Sequence, residues 1–294
     1  MQINNLQIPA LDGFLLSALR LQPTGQIKGI IQFNSGTAIK KEFYLNFCKN
    51  MAQKGYIVIL FDYRGIGGSR PKKLNGFKAY LRDWGLSDMP GILNWIAETY
   101  PEIPRYIVAH SMGSQLIGLM NNHNLVEGSY AIGLSTGYWR SMDAPFRYFC
   151  AFMWYIYMPF SSLLFGYAVG EKLRMGEDLP KGVALEWAAW CKKRTYISTY
   201  FNKNIDKNFY DEITKPFKVL VAEDDEVARP KTMNDMIKYY KNTPVDVEIL
   251  HCKDYNVKSI KHFGYFSKKH SETIWNKPID WIETLSGKNN KFDL

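Results

Sequence analysis

The sequence lacks the patterns on which metal, nucleotide and disulfide chemistry are usually built. It holds no CxxC pair, no H-E-x-x-H, no G-x-x-x-x-G-K-[ST] and no EF-hand loop, so zinc, Walker-type nucleotide and calcium sites have no ligand pattern to rest on. No cofactor and no metal is expected. Four scattered cysteines, Cys48, Cys150, Cys191 and Cys252, follow no short apolar leader, which argues against a disulfide framework and secretion and predicts a cytoplasmic location. Internal repeats and low-complexity linkers are also missing, and only the tail after Leu285 reads as frayed. Charge is absent in one long stretch: Tyr148 to Gly170 carries none, long enough to raise a membrane-spanning helix. Such a span would put residues before and after it in different compartments, and Pro159, Ser161, Ser162 and Gly166 interrupt it. The expectation is a buried or lid helix pair, with weak contact of that lid with a membrane surface as the intermediate alternative.

What is present is ordinary in bulk. With 46% hydrophobic and 22% charged residues over 294 positions, the chain has the composition of a globular protein with a sizeable core. The net charge of +9 invites a nucleic-acid partner, but the cations come in small clusters, and the densest, Lys253 to Lys269, reads as a solvated face. Nucleic acid is therefore not an expected partner; the oligomeric state stays open.

Runs rich in Val, Ile, Phe and Tyr recur over residues 14–21, 29–33, 56–62, 105–109, 130–134, 217–222 and 245–251, with a further candidate at 4–8. Stretches of helical spacing fill 41–54, 88–100, 112–121, 230–241 and 272–285. Alternation of this kind predicts an α/β fold: about eight mostly parallel strands flanked by helices, with an antiparallel hairpin across Leu11-Asp12-Gly13 at the start. The spacing fails once. About 80 residues separate the strand near Leu134 from the one at Phe217, where a crossover needs about 30. The expected organisation is a core of residues 1–136 and 211–294 interrupted by an aromatic-rich helical lid over 137–210.

The run at 105–109 ends in Ala109-His110-Ser111-Met112-Gly113 and passes straight into an apolar helical stretch. This fits a nucleophile elbow, G-x-S-x-G, with Ala in the first place. The turn is so tight that only small residues fit two positions either side of the serine. It would raise Ser111 above the strand ends and aim the Met112 amide, at a helix N-terminus, toward a developing oxyanion. The plainer alternative is a strand-to-helix turn whose serine only caps the helix.

A serine needs an imidazole to take its proton and a carboxylate to orient that imidazole. In elbows of this kind the acid and then the histidine follow along the chain. After the strand at 217–222 comes Glu223-Asp224-Asp225-Glu226, at a carboxyl end where such folds build sites. Asp225 is preferred because it stands fourth in a G-x-x-D-like turn whose Gly is Ala222; Asp224 reads as a solvated loop residue or cap. Of the five histidines, His110 adjoins the serine and should point into the sheet, His123 ends the elbow helix, and His270 lies at a helix start. His251 ends a strand, whereas His262 lies on a loop able to reach across the sheet, so His262 is preferred.

With these residues in place the chain resembles an α/β-hydrolase-fold serine hydrolase, near the serine aminopeptidase and monoacylglycerol-lipase-like group, and more specifically a bacterial family of predicted α/β hydrolases. The resemblance rests on residues 61–71 (Phe61-Asp62-Tyr63-Arg64-Gly65-Ile66-Gly67-Gly68-Ser69-Arg70-Pro71), the elbow, residues 176–182 with Trp187 and Trp190, the Asp225 turn and His262-Phe263-Gly264. It covers roughly residues 10 to 285. The family's elbow usually begins with Gly and its oxyanion loop often carries His-Gly, where this chain has Ala109 and Ser35-Gly36. The resemblance implies a second oxyanion donor in Asn34-Ser35-Gly36-Thr37, most simply the Thr37 amide, and makes 65–70 a structural turn rather than a dinucleotide loop, since its G-x-G-x-x-G ends in Arg70.

The expected function is a serine hydrolase working through an acyl-enzyme on a small carboxylic ester or thioester with a lipophilic acyl group. Trp154, Tyr157, Trp187 and Trp190 of the lid are candidate pocket residues. An acyltransferase on the same triad and a non-catalytic scaffold on the same fold are the alternatives.

Overall fold

A computed structural model describes residues 1–289. Its main sheet contains β1 (Gln2–Pro9), β2 (Leu15–Gln22), β3 (Gly29–Asn34), β4 (Tyr56–Phe61), β5 (Arg105–His110), β6 (Gly128–Ile132), β9 (Phe217–Ala222) and β10 (Val245–Leu250). Their spatial order is β1-β2-β4-β3-β5-β6-β9-β10. The first pair is the predicted hairpin, turned at Gly13 with φ of 82°. β2 also runs antiparallel to β4, and the remaining neighbours are parallel. β7 (Tyr167–Ala168) and β8 (Leu179–Pro180) pair separately within the inserted segment.

Parallel strands covered on both faces should be apolar throughout, and β3 to β6 bury nearly every residue. Alternation then sorts the side chains. Ile57, Ile59 and Phe61 of β4 join one core layer with Met89, Ile92, Leu93, Leu116 and Trp190. Tyr56, Val58 and Leu60 join the other, under helix α1 (Leu45–Gln53) and the C-terminal helix Lys277–Asn289. The first four residues of the predicted frayed tail are thus helical; the rest lies outside the described residues.

Strand order reverses between β3 and β5: from β3 the chain passes to β4 on one side and then back across to β5 on the other. The crevice beyond the carboxyl ends of these two strands is where such sheets place ligands. The 61–71 motif is a turn that ties β4 down. Asp62 accepts from the Lys41 amide, Lys41 Nζ and the Gly68 amide, and a Cβ at Gly67 would lie 2.5 Å from Asp62 Oδ2. Arg70 pairs at 3.0 Å with Asp178, joining this turn to the 176–182 motif.

Two helices depart from the spacing expected of them. The helix predicted at 88–100 begins at Leu81, where Asp83 Oδ2 accepts the Tyr80 amide, and runs on through a π segment, Trp84–Asp88, into Met89–Thr99. The uncharged run forms one continuous helix, Phe146–Phe165, not a pair; its own π segment is Met153–Tyr157. Each π segment lies just before a proline, Pro90 or Pro159. A proline ring clashes with the carbonyl four residues earlier, and a locally widened turn lets the helix continue past it. Gly166, with φ of 78°, closes the second helix in the left-handed conformation. The elbow helix is shorter than expected: α-helical over Met112–Gln115, then 3₁₀ over Leu116–Leu119.

Candidate active site

Ser111 follows β5 directly and takes φ of 50° and ψ of −117°, a conformation that costs a non-glycine residue about 1–3 kcal/mol and clusters at functional sites. Packing enforces it. A Cβ on Gly113 would lie 2.5 Å from the Asn34 carbonyl oxygen, so only glycine lets the elbow helix approach the end of β3. Ala109, in the elbow's first place, is fully buried among the apolar residues of one core layer.

His262 and Asp225 come to this serine from the far side of the sheet. The Ser111 hydroxyl lies 3.0 Å from His262 Nε2, and His262 Nδ1 lies 3.0 and 2.9 Å from the two Asp225 oxygens. Nδ1–H therefore donates to the carboxylate and Nε2 faces the hydroxyl. Asp225 also accepts the amides of Val227 and Ala228, each at 2.8 Å, and the Tyr265 hydroxyl at 2.9 Å. Burial pushes its carboxyl up, but the charge and hydrogen bond of His262 and the two amides outweigh that and hold it at about 2. Gly133, at the end of β6, makes room for the ring: a Cβ there would lie 3.1 Å from His262 Cε1.

The passed-over candidates have other duties. Asp224 accepts the amides of Ile260 (3.0 Å) and Lys261 (2.9 Å), clamping the loop that carries His262. His251 pairs with Glu223 at 2.7 Å at an exposed position away from the serine. His110 is buried as expected, but it is more than sheet filler. The Gly36 amide donates to the Tyr44 hydroxyl at 3.0 Å; that hydroxyl meets His110 Nδ1 at 2.8 Å, and His110 Nε2 meets the His262 carbonyl oxygen at 3.0 Å. One tautomer satisfies all three contacts, with Tyr44 donating to Nδ1 and Nε2–H donating to the carbonyl. Complete burial keeps His110 neutral by holding it well below the usual histidine range. Tyr44 and His110 thus link the 34–37 loop to the backbone of His262. Neither Tyr44 nor Tyr265 stands out in the sequence, because a tyrosine at an apolar helical or loop position reads as core.

Above Ser111 lies a cavity of about 520 Å³ whose lining is overwhelmingly apolar. Met112 and Thr37 line it together with Ser111 and His262. From the inserted segment come Met153, Trp154, Met158 and Trp187, with the Trp154 and Trp187 rings 4.6 Å apart. Two of the four pocket candidates lie elsewhere. Tyr157 turns its hydroxyl to the Val169 carbonyl, and Trp190 is fully buried against Tyr196 and Tyr200; neither contributes to the cavity wall, because helix periodicity turns them toward the segment's own core.

Residues 25–151 match the family model described as serine aminopeptidase, S33. Among solved structures the chain is similar to an esterase from Pyrococcus furiosus, with TM-score 0.64 at 14% identity over 96% of this chain and 91% of that one. A thermostable carboxyl esterase from Bacillus coagulans gives 0.63 at 12% identity, covering 97% and 99%, and the esterase domain of a Rhodothermus marinus protein 0.58 at 14%, covering 96% and 98%. No curated protein matches at the sequence level. Sheet order, elbow and these likenesses agree: the chain has the α/β-hydrolase fold and is similar to the serine aminopeptidase S33 family.

Proposed function

We propose that this protein is a serine hydrolase of the carboxylesterase or lipase type, acting on carboxylic esters or thioesters with lipophilic acyl groups. The observation that carries the reading is the Ser111, His262 and Asp225 hydrogen-bonded line opening on an apolar cavity. Ser111 Oγ attacks the carbonyl carbon as its proton passes to His262 Nε2, and the Met112 and Thr37 amides donate hydrogen bonds to the oxyanion. The leaving alcohol or thiol takes that proton from His262. Water, deprotonated by the same nitrogen, then releases the acid from the acyl-enzyme. Asp225 holds the Nδ1–H tautomer throughout. Residues 137–210 act as a lid over a catalytic core formed by 1–136 and 211–294.

A fluorophosphonate probe should label the protein, and Ser111→Ala should abolish labelling while the thermal transition stays in place. Labelling that persists in the variant would overturn the assignment of Ser111. Product analysis with an added alcohol separates hydrolysis from acyl transfer, and failure of every ester to acylate the protein would leave only a binding scaffold.

A further inference from the structure

The helix Phe146–Phe165 presents apolar side chains on both of its faces. Its inner side supplies Met153, Trp154 and Met158 to the cavity. Its outer side carries Tyr148, Phe152, Tyr155, Ile156, Phe160 and Leu163 at the three- and four-residue spacing of one helical stripe, with Leu164 beside it. These side chains are open to solvent: Leu163 is 78% exposed, Phe160 63% and Leu164 61%. A helix apolar all round belongs in a core or in lipid, and only a third of this one is buried. An exposed apolar surface of this size marks a contact.

Cations surround the stripe. Lys192 Nζ lies 4.8 Å from the Tyr155 ring, and the Arg147 guanidinium 4.9 Å from that of Tyr148. Arg140 stacks 5.1 Å over Trp139, whose ring meets Tyr155 at 6.1 Å. Past the other end, exposed Lys172 and Arg174 flank exposed Leu173. The nearest carboxylates along the chain are engaged, Asp143 with Arg229 and Glu171 with Arg70 at 3.7 Å.

We infer that the outer face of this helix docks on the surface of an anionic phospholipid bilayer. Aromatic and aliphatic groups enter the acyl boundary and the basic rim meets the headgroups. The helix lies in the interface rather than across it, since its inner face roofs the cavity and packs Trp154 on Trp187. A second copy of the chain fits less well, because an isologous pairing through this stripe would bring the same cations, Arg140, Arg147 and Lys192, together across the interface. Phe43, Phe149 and Phe263 line the cavity while each is about half exposed, so its mouth has an apolar rim to which the docking helix contributes Phe149. If the proposed hydrolase activity holds, substrates reach Ser111 from the bilayer; the docking itself does not depend on that activity.

Flotation of the full chain with phosphatidylcholine vesicles, with and without about 30% phosphatidylglycerol, at about 0.15 M salt, tests the docking. The protein should float with the anionic vesicles. The double variant Leu163→Glu, Leu164→Glu should lower the binding constant at least tenfold, and Arg140→Gln with Lys192→Gln about thirtyfold, since each cation near such a surface is worth about 1 kcal/mol. All variants should keep the wild-type melting temperature and the wild-type rate on a short water-soluble ester. The docking is overturned if the wild type stays with the buffer, or if the glutamate variant floats equally well. It is also overturned if light scattering finds a dimer that the glutamates dissolve, which would make a second copy the occupant. A wild type that floats but turns over no soluble ester would instead count against the hydrolase reading alone.

Discussion

Asp225, His262 and His110, at the carboxyl edge of the sheet, have a directed partner for every polar side-chain atom. In the inserted segment, by contrast, Trp154 and Trp190 bury their indole N–H groups and Ser162 its hydroxyl without a hydrogen-bond partner. Leaving such a group unpaired costs about 1–3 kcal/mol. The difference separates two tasks. Directed bonds fix the angles and tautomers on which proton transfer depends, while the rings of the segment that face the cavity, Trp154 and Trp187, are placed by packing against each other. Perturbing the edge should therefore change chemistry, and perturbing the insertion should change selectivity.

The largest effect should come from Asp225→Asn. The change keeps the size of the side chain but offers His262 Nδ1 an amide, which favours the tautomer that presents N–H to Ser111. Loss of about four powers of ten in kcat is expected, with KM for a short ester little changed. Steady-state kinetics on such an ester check it. A variant retaining a tenth of the activity would show that the carboxylate does not set the tautomer here.

Next comes the pH dependence of stability, which tests the neutral His110 at the heart of the edge. Its folded pKa is well below 6.5, so below pH 6.5 the unfolded chain binds a proton that the folded chain does not. Stability therefore rises with pH in this range, and on acidification below pH 6.5 this group removes stability progressively until the pH reaches its depressed folded value. Asp225 adds a second loss lower down. Its folded value of about 2 lies under the ordinary 3.8, so its contribution is complete above pH 4 and lost as pH falls toward 2. Urea titrations at half-unit intervals should show the upper slope in the wild type and a shallower one in His110→Asn, which has no proton to gain there.

Legibility from sequence divides along the same line. The elbow was readable because its pattern is contiguous in sequence: small residues stand two positions either side of Ser111, between an apolar strand run and an apolar helical run. Strands β3 to β6 were readable because burial on both faces demands an unbroken apolar run. The Asp225 and His262 positions followed from chain order and loop placement. What escaped is tertiary. Tyr44 meets His110 from 66 residues away and Tyr265 meets Asp225 from 40 residues away, and the π segments before Pro90 and Pro159 preserve helices that a proline would end on spacing alone. The insertion was legible as apolar and aromatic but not as to which ring faces the cavity, since its helix has apolar residues on every side and so gives no stripe to orient it.

That ambiguity sets the last and smallest prediction. If the cavity over Ser111 receives the acyl chain, each added CH₂ should contribute about 0.8 kcal/mol, or roughly fourfold in kcat/KM, until the space is filled. A series of nitrophenyl esters from acetate upward should rise and then level off. Trp187, which lines the cavity, should set where the plateau falls: Trp187→Phe enlarges the space and moves the optimum to a longer chain, with less than about a fourfold change at any one length. Trp190 is buried away from the cavity wall, so Trp190→Phe should lower the melting temperature and leave the order of substrates as it is. A profile flat from acetate onward would return Trp154 and Trp187 to the packing of the insertion. If Trp190→Phe moved the optimum as far as Trp187→Phe does, volume at the wall would not be what the insertion contributes, and the distinction between a bonded edge and a shape-selecting roof would fail at the roof.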